Sequence, residues 1–258
     1  MGDRKGRIQA VWGLCAALAL AAGQAAPAEP NIKTFSAGLS FENFSRTVIW
    51  KGDAASSGIQ ASLIAARAEF GFTKGLVASL SAGLALTDFR TLAFTGLPVS
   101  LAYEGTPILG FTLGAEVVAP IHKLSDFEIS GTGRVVYCFG MSRTWPLEGF
   151  AVEGEAMGRS SWLEAAAGPR VTYRLSGPVI PYIEVSVRWL RADFEMTETL
   201  GDLQGTEAKH VSGDLSFGAA LGADAALTDR LAVKAKAGIV PRGGGMDRLL
   251  SVGLQYRF

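Results

Sequence analysis

The sequence predicts an all-β chain, an up-and-down antiparallel barrel that crosses a membrane with its strands. Three observations predict it. Apolar residues alternate with small or polar ones over many long segments, and period two segregates two faces only on a strand. The alternation runs into the C-terminus through Leu250, Val252, Leu254, Tyr256 and Phe258, with Ser251, Gly253, Gln255 and Arg257 between them. The chain is 48% hydrophobic and only 19% charged. Yet past residue 28 it holds no stretch of about twenty apolar residues, the length a membrane helix needs. A barrel reconciles these facts because it wears its apolar residues on the outside.

The N-terminal segment has the order of an export signal. Asp3-Arg4-Lys5-Gly6-Arg7 is basic, Ala10 to Ala22 is apolar, and Gly23 to Ala28 is small. This order marks a signal peptide over residues 1–28, cleaved after Ala25 or Ala28. Cys15 sits inside the apolar run behind bulky Leu14, which argues against a lipid-modified cysteine. Removal of the signal leaves Cys138 alone, so no internal disulfide is available. The 32 glycines disfavour a helical bundle and suit curved, closely packed strands. Residues 29–258 form one domain.

Within that domain the alternation predicts about twelve strands, over 33–45, 58–72, 76–90, 97–104, 108–118, 126–140, 147–157, 162–175, 179–194, 209–227, 231–242 and 247–258. The clearest hairpin joins Val211–Leu227 to Leu231–Ile239 across Thr228-Asp229-Arg230. Others turn at Thr73-Lys74-Gly75 and Leu175-Ser176-Gly177-Pro178. If Gly105-Thr106-Pro107 is a bulge and not a turn, two strands merge and about ten remain. The short turns 73–75, 176–178 and 228–230 fall at one end. The longer connections 46–57, 91–96, 195–208 and 243–246 fall at the other, the asymmetry of membrane barrels. Phe41, Phe44, Trp50, Phe70, Phe72, Phe89, Phe94, Trp189, Tyr256 and Phe258 recur near strand ends, where interfacial aromatic belts are expected. A soluble β-barrel would turn the apolar face inward. Against it, the face opposite the apolar one mixes Gly and Ser with charges and carries few of the Lys, Glu and Thr that a solvated face needs.

The terminal alternation ending on Phe258, together with the export signal, resembles bacterial outer-membrane β-barrel proteins. Their last strand typically ends in Phe and is read by the barrel-assembly machinery. The resemblance covers everything after the signal and reaches no subfamily. It implies an outer-membrane location, with Tyr256 and Phe258 as the assembly signal. Its expected partners are outer-membrane lipid, lipopolysaccharide and the assembly machinery. If the lumen conducts, small hydrophilic solutes join them.

The other face supplies candidate lumen charges: Glu164, Arg170, Arg174, Glu184, Arg188, Asp214, Asp224, Lys234 and Lys236. Both signs occur, so they can pair across the lumen and close it, or line a narrow aqueous path. A structural role or a small-solute pore or transport role is the leading reading. Two others stay open. One is a lipid-modifying or proteolytic barrel enzyme built on His122 or His210, the two histidines, since such chemistry needs a base near neutral pH. The other is a surface-binding module acting through loops 46–57 and 195–208. No spacing of His, Cys or carboxylates marks a metal site, and Gly243-Gly244-Gly245 lacks the strand-to-helix context of a phosphate cradle. No cofactor is expected. The formal net charge of zero points away from nucleic acid.

Overall fold

The computed structural model describes residues 32–51, 56–103, 106–148, 152–174, 177–242 and 245–258, with the side chains of 212–214, 242 and 245 left out. The signal segment 1–28 lies outside the described residues. Thirteen strands follow one another: β1 Ile32–Ile49, β2 Ser56–Phe72, β3 Val77–Arg90, β4 Leu92–Phe94, β5 Leu101–Tyr103, β6 Ile108–Leu124, β7 Phe127–Gly140, β8 Arg143–Pro146, β9 Gly154–Tyr173, β10 Val179–Leu200, β11 Leu203–Ala226, β12 Leu231–Arg242 and β13 Gly245–Arg257. Ten of them close a ring in the order β1-β2-β3-β6-β7-β9-β10-β11-β12-β13, and β13 pairs back onto β1. Every pairing is antiparallel. Closure leaves the ladder without an edge through the spanning part, as a wall in lipid requires.

The ring reaches the lower strand count by a different route from the bulge at 105–107. The described part of the expected strand 97–104, residues 97–103, forms no wall strand. Of these residues only Leu101–Tyr103 is extended, and β5 pairs with β4 in a small separate hairpin. The expected strands 147–157 and 162–175 meet without a break in one strand, β9, over Gly154–Tyr173, which takes up its pairing with β10 at Gly154. The expected loop 195–208 is also ladder: β10 and β11 stay paired up to Leu200 and Leu203, and Gly201 takes the positive φ of 56° that the turn requires. Connection 46–57 shrinks because β1 continues to Ile49 and β2 starts at Ser56. These segments are polar on their outward face, which disguised them as loops.

At the opposite end, the turn end, the connections are tight. Lys74 and Ser125 accept φ of 67° and 45° there. Aromatic rings gather around this end: Phe35 stacks on Phe258 at 5.3 Å, and Phe127 stacks on Tyr173 at 4.8 Å. The outward faces between the ends carry exposed Leu39, Ile64, Leu84, Leu113, Val185, Leu221 and Leu254. On β10 the outward apolar positions run from Val179 to Trp189, about eleven residues, the length a strand needs to cross hydrocarbon.

One irregularity changes a face. Leu190 pairs with Asp214 and Ala192 with Val211, so β11 carries one extra residue there. This bulge reverses inside and outside for the rest of β11. Val211, assigned by alternation to the lipid face, is buried inside, and Lys209 follows it.

Candidate functional site

The interior has two unlike halves. Toward the turn end, inward positions carry ion pairs. Arg134 bonds Glu42 at 2.7 Å, Arg67 bonds Glu116 at 2.9 Å, and Lys234 bonds Glu69 at 2.7 Å. Arg170 meets Glu184 at 2.7 Å, with Lys236 on the same carboxylate at 3.5 Å. Arg188 and Glu164, both buried, meet at 2.9 Å. The Tyr182 ring lies 4.3 Å from the Arg170 guanidinium and occupies the space a Cβ would take at Gly222. Asp224 reaches Lys234 at 3.9 Å. Arg174 stands past the end of β9 at the turn-end mouth, half exposed, paired with Glu128. The side chain of Asp214 is among those not described. A cavity of about 40 Å³ remains among Glu42, Arg67, Glu116 and Arg134, room for a few waters. Partnered charges of both signs are what a narrow interior tolerates.

Toward the loop end the same inward rows turn mainly apolar, with Arg46, Glu198, Lys209 and Asp247 buried among the rings. One step up each strand, Glu42 gives way to Phe44, Arg134 to Val136, Glu164 to Trp162 and Arg188 to Leu190. Phe44, Trp50, Phe89, Phe94, Trp162 and Phe194 are all at most 1% exposed. Phe44 meets Trp162 edge-on at 5.1 Å, Phe89 meets Phe194 at 4.8 Å, and Tyr103 meets Phe194 at 5.4 Å. Phe44, Trp50, Phe89 and Phe94, expected in membrane belts, are therefore interior. The Trp162 Nε1 donates to Thr87 Oγ1 at 3.0 Å, so this ring brings its polar atom satisfied, whereas the buried Trp50 Nε1 has no hydrogen-bond partner among the described residues.

The β4–β5 hairpin closes this core from above. The Gly96 and Val99 amides donate to Glu207 and Glu198 of the β10–β11 extension, at 2.6 and 3.2 Å. Burial pushes the Tyr103 phenol well above its ordinary pKa, helped by the Asp88 carboxylate, and its hydroxyl donates to the Thr106 carbonyl. Among the described residues the lumen is thus closed twice, by ion pairs below and by aromatic packing above.

Outside, the strands bear a second polar set. His210 Nδ1 and Asp193 Oδ1 lie 2.6 Å apart on neighbouring strands, and Arg191 Nε bonds the other Asp193 oxygen at 3.2 Å. The partner the fold supplies for His210 is Asp193, its cross-strand neighbour. His122 lies exposed on β6 beside a second register shift, and no hydrogen bond ties it to Ser125 or Asp126. No group of three or more His, Cys, Asp or Glu among the described residues has metal-site geometry. Cys138 is buried in the upper core. Phe258 carries an exposed ring and donates its amide to the Phe35 carbonyl at 3.0 Å.

No protein-family model and no curated protein sequence matches the chain. Solved structures do. The chain is similar to the outer-membrane protease OmpT of Escherichia coli, with a TM-score of 0.54 at 10% identity, over 90% of this chain and 99% of that one. It is also similar to the translocator domain of the autotransporter NalP of Neisseria meningitidis, with a TM-score of 0.49 at 12% identity, over 97% and 96%. At such identities the likeness is one of fold. The chain has the fold of a bacterial outer-membrane β-barrel.

Proposed function

We propose that this protein is a closed outer-membrane barrel whose working part is the β-sheet projection above the membrane. The barrel anchors and presents; it does not conduct. The observation that carries this reading is the inversion of polarity along the walls. Below Trp189, β10 turns Ile183, Val185 and Val187 outward and Glu184, Ser186 and Arg188 inward. Above it, Arg191, Asp193 and Glu195 face out, and Leu190, Phe194 and Met196 face in. The lower pattern suits lipid outside and a polar interior. The upper pattern is that of a water-soluble β-domain with its own core. The aromatic core also stands across the path a solute would take, which favours a surface-binding role over the pore.

Refolded protein in a planar bilayer is expected to give no stable unitary conductance steps; regular steps would restore the pore reading. An epitope inserted at Gly201 is expected to be accessible on intact cells, and one at Asp229 to be hidden. The reverse would invert the orientation.

A further inference from the structure

We propose that the free edge of β11 above the membrane takes an added strand, an extended segment of another polypeptide that carries lysine or arginine. The inference rests on the surface-binding role of the projection and names its partner. The edge exists because neighbouring strands differ in length. β11 runs for 24 residues, from Leu203 to Ala226, and β12 for only 12. Their ladder ends at Ala219 opposite Ile239, whereas β10 stays paired with β11 up to Leu203. Above that ladder one described backbone bond reaches the far side of β11, from the Lys51 amide to the His210 carbonyl at 2.9 Å. This carbonyl therefore points away from β10. The two-residue repeat of an antiparallel pair turns the N–H and C=O of Gln204, Thr206 and Ala208 the same way. No described backbone group meets them. Natural sheets guard such edges with proline, lysine or a bulge. Residues 203–208 hold no Pro or Lys, and their pairing with β10 runs without a register shift.

Charge selects the occupant. From Ala192 to Ala208 the chain carries Asp193, Glu195, Glu198, Asp202 and Glu207 and no Lys, Arg or His. Asp193 leans on Arg191 and His210, Glu207 has Lys209 at 3.5 Å, and Glu198 is buried. Glu195 and Asp202 are exposed and form no ion pair with any described residue, although Arg159 stands opposite Glu195 on β9. Both carboxylates flank the edge. Asp202 precedes Leu203 at its top. Glu195 is the cross-strand partner of Ala208, so only a methyl group separates it from an incoming strand. A strand laid beside Ala208 runs about 10 Å from the Glu195 backbone, two strand spacings. A Lys or Arg at that place lies over the methyl and reaches the carboxylate. The edge amides and carbonyls bind any extended backbone, and Glu195 and Asp202 choose a basic one. A second copy of this chain would instead bring like charges together.

The test uses the refolded full barrel in detergent. The probe is a capped peptide of alternating Lys and Thr, about nine residues long, enough to cover the edge. Its control has the same charges with every amide N-methylated, so it cannot join a ladder. Wild type is expected to bind the parent peptide about tenfold more tightly than the control, and the amides of 203–209 to gain protection from hydrogen exchange. Thr206→Pro with Ala208→Pro removes two edge-facing N–H groups and no bond to β10, and is expected to lose that tenfold preference. Glu195→Gln is expected to weaken the parent peptide about threefold. Heat-modifiable migration confirms that each variant is folded. If the proline variant does not fold, the methylated control on wild type decides. Equal binding of the two peptides, no binding of either, or a folded proline variant that binds as wild type does would overturn the edge site. Unchanged binding by Glu195→Gln would overturn the choice of a basic partner. An epitope at Gly201 that stays hidden on intact cells would instead overturn the projection reading, whatever the peptides do in detergent.

Discussion

The two halves of the barrel share strands and ladder and, apart from the bulge in β11, inward parity, yet their interiors obey opposite rules. In the turn-end half the inward side chains are charges held by partners, as Arg188 is by Glu164. In the loop-end half they are mainly packed rings, as Trp162 is against Phe44, with a few buried charges such as Arg46 and Asp247 among them. The difference lies in what stands outside. Where lipid covers the wall, apolar residues gain by facing outward, and the interior is left to polar groups. Where water covers the wall, the hydrophobic effect drives the rings inward. On the reading proposed above, the level at which the rule changes is the membrane surface, and Trp189-Leu190 and Leu163-Trp162 straddle it.

The comparison breaks most visibly if the upper core is not a core. Trp162→Ala is expected to cost about 3–5 kcal/mol in denaturant unfolding of the refolded barrel. A cost below about 1 kcal/mol would mean that the rings merely fill space.

The ionic half should respond to unbalancing more than to loss of charge. Glu164→Ala strands Arg188 and is expected to destabilise by about 3 kcal/mol, whereas Glu164→Ala with Arg188→Ala recovers most of it. Additive losses in a double-mutant cycle would show that the two groups act independently.

The outward face sharpens the contrast. Leu221→Arg, on the lipid side, is expected to cost about 2–4 kcal/mol, and Asp224→Asn, on the inner side, less than about 1 kcal/mol. Equal effects would argue against a lipid-covered wall.

The smallest effect concerns alkaline pH. The Tyr103 pKa is raised in the folded protein, so its neutral form is favoured by folding. Its contribution is fully present below the unfolded value near 10 and is lost as pH rises toward the folded one. At pH 11 wild type is expected to lose about 1 kcal/mol more than Tyr103→Phe does, relative to neutral pH. Identical pH profiles would remove Tyr103 from the accounting.

The assembly role of Phe258 is a separate matter. Phe258→Ser is expected to lower the amount of heat-modifiable barrel in the outer membrane while export continues. Wild-type amounts would refute the signal.

Period-two alternation was enough, from the sequence alone, to determine the fold class, the tight turns at 73–75 and 228–230, and the separation of Leu221 and Asp224 onto opposite faces, because each depends only on neighbours along one strand. Even the polarity inversion was written there: the phase of apolar residues on β10 slips at Trp189-Leu190, and Phe194 and Met196 fall on the face of Glu184. Three things only the tertiary structure decided. The bulge that turns Val211 inward depends on register against β10. The fusion of 147–157 with 162–175 and the retreat of β4–β5 into the mouth depend on how the ring closes. The pairing of His210 with Asp193 depends on which strands lie side by side. Alternation reports the difference between two faces of a strand. Which face meets lipid, water or another side chain is a property of the closed ring.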